Sequence, residues 1–232
     1  MSDPALSAFY PVRPANPLPG AGIGQLRCQT QPSSMIVGRN SRQACRRVSA
    51  EVLHMPQRWK VHEPRSPYFV TSSVVHLIPV FGRDAYFRIL MDSMAHCIRQ
   101  RGLRIHAFVI MPDHFHAICS QVAGDLSGVI RDLKRFTSRG LYAQLVRDYA
   151  YLPWLAAMRN VARGESEAKV WDDEFHSEQI HTQPFFQQKC DYIHANPVRV
   201  GYVDAPSQWK YSSACLYYEG REAVIPIEPL EW

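Results

Sequence analysis

The chain has no Cys-x-x-Cys pair: its six cysteines, Cys28, Cys45, Cys97, Cys119, Cys190 and Cys215, are scattered over 232 residues. That spacing argues against a compact zinc knuckle and against a disulfide-dense secreted scaffold, and it points to reduced thiols in the cytoplasm. Nor does any run approach the roughly 18 apolar residues of a membrane span, so no membrane partner is expected. A secretory signal is lacking as well, because Asp3, Pro4 and Pro11 occupy the place of a basic stretch and an unbroken apolar one. Internal repeats are absent. What is present, 46% apolar and 11% aromatic residues with only 20% charged, suffices to bury one substantial core, which excludes disorder of the whole chain.

The net charge of +5 is unevenly placed. Residues 1–60 hold eight Arg/Lys against Asp3 and Glu51, whereas 61–232 hold 18 basic and 19 acidic groups. A basic balance suggests an anionic partner, yet the excess sits on a stretch rich in Pro, Gly, Ser and Gln without helical or strand periodicity. Such a segment buries too little surface to offset its ordering entropy. Residues 1–60 are therefore read as a basic, disordered leader.

From Tyr68 the texture turns β-branched and aromatic and predicts a strand ending before Gly82. Asp84 can cap the following helix, in which Phe87, Leu90, Met91, Met94, Ala95 and Ile98 recur at helical spacing up to Gly102. Strands follow over 105–111 and 114–120, separated by the turn Pro112-Asp113. A long amphipathic helix then runs through Leu126, Val129, Ile130, Leu133, Phe136, Leu141 and Leu145. Strand, helix, strand, strand, helix is the opening of an α+β, ferredoxin-like split β-α-β sheet. Residues 148–170 read as a connecting insertion with room for some helix, 182–195 as a helix closed by Asn196-Pro197, and 216–232 as an extended tail beyond a domain spanning 61–215.

Two clusters can carry chemistry. In His114-Phe115-His116 the strand alternation puts both imidazoles on one face and Phe115 on the other, so both can reach one cation. Taken alone, two solvent-facing histidines that coincide explain the pattern equally well. In Tyr192-Ile193-His194-Ala195-Asn196-Pro197 the tyrosine and asparagine lie four apart, on one helical face. Taken alone, a packed ring and a C-capping asparagine explain that pattern too.

Together they are more specific. His-Ala-Phe-Val-Ile-Met-Pro-Asp-His-Phe-His-Ala-Ile (106–118), Trp171 with Phe175-His176, Asp-Tyr-Ile-His-Ala-Asn-Pro-Val-Arg-Val-Gly-Tyr-Val (191–203) and Trp209-Lys210-Tyr211-Ser212-Ser213 resemble the single-tyrosine HUH transposases. Within that group they are most similar to the REP-associated tyrosine transposases (RAYTs), relatives of the insertion sequence 200-like enzymes, over roughly 65–215. The resemblance implies an HUH endonuclease fold, RRM-like, with a helix carrying the catalytic tyrosine, Tyr192. It implies Mg²⁺ or Mn²⁺ held by His114, His116 and Asn196, and cleavage through a 5′-phosphotyrosine link with a free 3′-OH. It also implies single-stranded DNA with hairpin or palindromic repeats such as REP elements as partner, a monomer or homodimer, and a bacterial, nucleoid-associated place in the cytoplasm. RAYTs are generally single-copy genes without transposon ends, so processing of dispersed repeats is implied rather than self-transposition. Two positions distinguish this chain: Met-Pro-Asp stands where Met-Pro-Asn is common, and Asn196 matches RAYTs where many insertion-sequence relatives carry Gln.

DNA contact is expected from the stripe Arg131, Lys134, Arg135 and Arg139 on the second long helix, which is otherwise a solvated face. His176 and His194 are candidates for donors near the phosphate. Phe175, His176, Tyr202, Trp209 and Tyr211 could stack unpaired bases, although Trp209 and Tyr211 also suit the sealing of a small core. Two alternatives compete. One is a domesticated regulator that binds a hairpin without cutting it. The other, a zinc hydrolase drafting His76, His106, His176 or His194, is weak because zinc wants three or four such ligands and nothing fixes their spacing.

Overall fold

A computed structural model describes Glu63 and residues 65–149, 153–162, 167–173, 176–230 and 232. The basic leader expected over 1–60 and the candidate Phe175 lie outside the described residues. In chain order the elements are β1 (Tyr68–Ser73), α1 (Asp84–Arg101), β2 (Leu103–Ile110), β3 (His114–Gln121), α2 (Leu126–Asp148), α3 (Pro153–Asn160), β4 (His176–Gln179), α4 (Gln183–Arg199) and α5 (Ala214–Glu219). Short 3-10 turns stand at Val75–Leu77 and Pro206–Gln208.

The sheet order is β2-β3-β1-β4, and every neighbouring pair is antiparallel. β1 and β2 therefore run parallel with β3 threaded between them, the split β-α-β arrangement of the ferredoxin-like fold. Strand alternation decides the layers. Val70, Phe108, Phe115 and Ala117 face the side covered by α1 and α2, where Trp171 meets Phe115 edge-on and donates its Nε1–H to Thr137 Oγ1 of α2 at 2.8 Å. Phe69, Thr71, His114 and His116 face the other side, under α4.

Local chemistry sets most boundaries. α1 stops at Gly102, whose φ of 62° is left-handed and free of a Cβ penalty. Asp125 caps α2 by accepting from the Gly128 N–H at 3.0 Å, and Thr182 caps α4 by accepting from Phe185 N–H at 3.4 Å. Asp84 lies in the first turn of α1 without closing a cap; its carboxylate accepts instead from Lys210 Nζ at 2.8 Å and from the Tyr211 hydroxyl.

Several boundaries differ from the sequence reading. The first strand ends at Ser73 instead of reaching Phe81, because His76 and Leu77 take positive φ (55° and 53°) and turn the chain. The apolar residues beyond, Val74, Ile78, Val80 and Phe81, are buried outside any strand of the sheet, and Val75 is buried in a 3-10 turn, which a run of apolar residues does not distinguish from a strand. β4 has no counterpart in the sequence reading: His-Ser-Glu-Gln contains no apolar residue, and it joins the sheet through its backbone pairing with β1. Within the segment read as a partly helical insertion, the helix is α3, Pro153–Asn160. α5 begins before the boundary at 215, and the tail beyond it lies on β2, with Glu228 N–H donating to Ile105 O at 2.9 Å. Finally, α4 runs through Asn196-Pro197 to Arg199. Proline removes one donor there, but in the last turn the loss is a single bond, and Val200 N–H closes onto Asn196 O.

Candidate active site

β1 and β3 pair so that Thr71 stands opposite His116 and Ser73 opposite His114. The two imidazoles consequently share a face, with ring centroids 4.8 Å apart. α4 crosses this face and sets Tyr192 against it: the phenol ring lies 5.3 Å from the His116 ring and 5.9 Å from Phe69, which itself stacks on His116 at 5.4 Å. Tyr192 stays 40% exposed although its ring is held on two sides.

Each histidine is oriented by a neighbour. His114 donates Nδ1–H to the Asp113 carboxylate at 2.6 Å, and His116 Nδ1 lies 2.8 Å from Thr71 Oγ1. With Nδ1 as donor in both, both Nε2 atoms retain lone pairs, as metal ligation requires. Burial, aided by the His114, Arg199 and Lys189 charges, pushes the pKa of His116 down to about 3, so this imidazole is neutral at physiological pH. Asn196 sits one turn beyond Tyr192 on α4. Its Nδ2 donates to Tyr192 O at 2.9 Å and its Oδ1 accepts from Arg199 Nη2 at 3.0 Å.

Among the described residues no three His, Cys, Asp or Glu side chains gather to hold a metal. A cation held by the His114–His116 pair would need a donor of another type, and the Asn196 amide oxygen is a candidate of that chemistry. Two imidazole nitrogens and one amide oxygen suit a cation that keeps open positions for phosphate oxygens and water. The zinc alternative gains nothing: His106 is buried, with Nε2 2.9 Å from Ser120 Oγ and Nδ1 2.6 Å from Glu228 O.

The remaining expected site residues separate. His176 pairs with Thr71 across β4 and β1, so it continues the row His116–Thr71–His176 on the same face and is exposed. His194 is not on that surface. It is 1% exposed on the far side of α4, its Nε2 lies 2.8 Å from Ser213 Oγ, and Tyr217 and Tyr218 flank it. On α2, Arg131, Arg135 and Arg139 are exposed at four-residue spacing, whereas Lys134 turns inward to donate to Asp172 O, and burial lowers its pKa to about 8. Trp209 and Tyr211 are buried, and Tyr202 stacks on Trp209 at 5.5 Å, so these rings serve packing.

Two cations were missed from the sequence. Lys189 Nζ lies 4.7 Å from the Phe69 ring centroid and 2.6 Å from the Glu178 carboxylate, and the Arg199 guanidinium lies 4.5 Å from the Tyr192 ring centroid. Their spacings, three before Tyr192 and three after Asn196, put them on the tyrosine's helical face; that periodicity was the available signal.

No protein-family model matches the chain. A REP-associated tyrosine transposase of Escherichia coli (strain K12) is 23% identical over 146 residues, 63% of this chain and 72% of the relative. A provisional member of the same family from Haemophilus influenzae is 29% identical over 127 residues, 54% of this chain and 64% of its own. The solved structure of a REP-associated tyrosine transposase bound to a REP hairpin matches with a TM-score of 0.51 at 18% identity, over 76% of this chain and 94% of that one. That likeness shows a shared fold.

Proposed function

We propose that this chain, which is similar to REP-associated tyrosine transposases in sequence and shares the fold of one, is a Mg²⁺- or Mn²⁺-dependent endonuclease and strand transferase acting on single-stranded DNA at hairpin repeats. The observation that carries the reading is the meeting of Tyr192 on α4 with His116 on β3, ring against ring at 5.3 Å, with the His114 ring 4.8 Å from that of His116. His114, His116 and Asn196 are the residues that would hold the metal, which when bound polarises a phosphate oxygen.

In this reading the Tyr192 hydroxyl, its proton given up to solvent, attacks phosphorus and the bond to the 3′ oxygen breaks. The departing oxygen takes a proton and leaves as a 3′-OH, while the 5′ phosphate stays on Tyr192. The covalent link conserves the phosphodiester energy, so a 3′-OH can attack it in reverse and rejoin a strand. Phe69 and His116 wall the phenol in and limit its orientations, which lowers the entropic cost of reaching an attacking geometry. Arg199 places positive charge against the Tyr192 ring, and Lys189 lies against Phe69, the ring that meets Tyr192 edge-on; both are candidates to contact phosphate oxygens.

The test is a labelled single-stranded hairpin from repeats of the neighbouring genome, incubated with the protein and Mn²⁺. A denaturation-resistant protein–DNA adduct is expected, and Tyr192→Phe is expected to abolish it. An adduct unchanged in that variant refutes the assignment of the nucleophile. Hairpin binding that persists in EDTA, with no adduct under either metal, would instead support the non-cleaving regulator.

A further inference from the structure

Arg199 stands where the reading above needs an open ligand. Its Nη2 donates to Asn196 Oδ1 at 3.0 Å, and the same guanidinium lies 4.5 Å from the centroid of the Tyr192 ring. One cation thus occupies the amide oxygen and lies against the nucleophile's ring. The arrangement depends on α4 continuing past Pro197, since only then does position 199 fall one turn beyond Asn196 and over Tyr192. A guanidinium within hydrogen-bond distance of Oδ1 also holds its charge where a divalent cation would have to sit, and like charges a few ångströms apart repel strongly outside bulk water. A guanidinium prefers a phosphate, with its charge and paired oxygens, to a neutral amide.

We propose that Arg199 is a latch: in the DNA-free protein it masks Asn196 and rests on Tyr192, and it leaves Asn196 for the DNA phosphate when the metal takes the amide oxygen. This rests on the assignment of Asn196 as a metal ligand. Arg199 is a positioning residue in this scheme, acting through Asn196 and Tyr192. Metal and DNA then favour one another's binding, because each is better accommodated once Arg199 has moved.

The experiment measures Mn²⁺ affinity of the full chain without DNA, from the free-ion electron paramagnetic resonance signal, in four proteins: wild type, Arg199→Ala, Asn196→Ala and the double variant. Arg199 is exposed at the end of α4, so its truncation leaves packing intact. Releasing a charge-assisted hydrogen bond from Oδ1 is expected to tighten Mn²⁺ binding by roughly three- to tenfold. That gain is expected to vanish in the Asn196→Ala background, because the latch works through the amide. Unchanged or weaker binding in Arg199→Ala overturns the latch, as does a gain that survives in the double variant, which would show charge acting at a distance. Asn196→Ala that leaves wild-type affinity untouched overturns the ligand assignment, and the latch with it.

Discussion

The hydrogen bonds behind the two histidines carry a sharper prediction than the histidines themselves, because those bonds can be removed while the imidazoles stay. Thr71→Val keeps the volume and β-branched shape that suit β1 and deletes only the hydroxyl 2.8 Å from His116 Nδ1. Asp113→Ala removes the carboxylate 2.6 Å from His114 Nδ1. Neither site is deep in the core, since Thr71 is half-buried and the Asp113 side chain is 30% exposed, so each variant is expected to cost about 1 kcal/mol of folding stability or less. Partners that orient a ligating imidazole are worth about 10- to 100-fold in metal affinity, or about 1.4 to 2.7 kcal/mol. Asp113→Asn retains an acceptor but loses the charge assistance, so its loss of affinity is expected to fall between those of wild type and Asp113→Ala. Mn²⁺ titration alongside urea unfolding separates the two effects. Full metal affinity in both Thr71→Val and Asp113→Ala would refute the view that these bonds set the imidazoles for a cation.

Two further outcomes follow from the same geometry. Replacing Arg131, Arg135 and Arg139 together by alanine is expected to weaken single-stranded DNA binding evenly across sequences and to reduce the slope of log affinity against log salt by about 2, at about 0.7 for each phosphate no longer neutralised; an unchanged slope would mark α2 as a solvated face. Burial holds the pKa of His106 below its ordinary value, so between the unfolded value near 6.5 and the lower folded one the unfolded chain binds more protons. Its contribution is therefore complete above about pH 6.5 and is lost as pH falls, and the drop in urea midpoint from pH 7.5 to 5 is expected to shrink in His106→Gln; a drop of the same size in that variant would place the acid sensitivity elsewhere.

The sheet and its helical cover were legible because period and punctuation agree there: Phe87, Leu90 and Met94 at helical spacing before Gly102, and alternation around Phe115. The His114–His116 face followed from strand geometry alone. What escaped was chemistry without a periodic signature. β4 has no apolar side chain to announce it, yet its pairing with β1 puts His176 in the row with Thr71 and His116. His194 reads as a donor near the phosphate in the sequence, but it stands two residues from Tyr192, a spacing that on a helix turns a side chain well away; its environment is set by Ser213, Tyr217 and Tyr218, neighbours that only the tertiary fold supplies. Pro197 reads as a terminator, and with the helix cut there Arg199 has no reason to face the tyrosine.

The charge distribution can now be weighed by position. From residue 61 onward the chain is nearly neutral, so its net charge supplies little long-range attraction for a polyanion. In the proposed reading, affinity near the tyrosine comes from a few cations on one helical face, and the periodicity of α4 puts Lys189 and Arg199 on that face. That arrangement makes α4 the element on which the proposed nucleophile, amide ligand and phosphate partners would all depend. A small rotation of α4 against the sheet would move Tyr192, Asn196, Lys189 and Arg199 together relative to His114 and His116. The packing that prevents it is on the other side of the helix, where His194 is bonded to Ser213 and Ile193 is fully buried. His194, through Ser213, whose hydroxyl accepts from Phe108 N–H of β2, helps tie α4 to the sheet in the register in which Tyr192 meets His116.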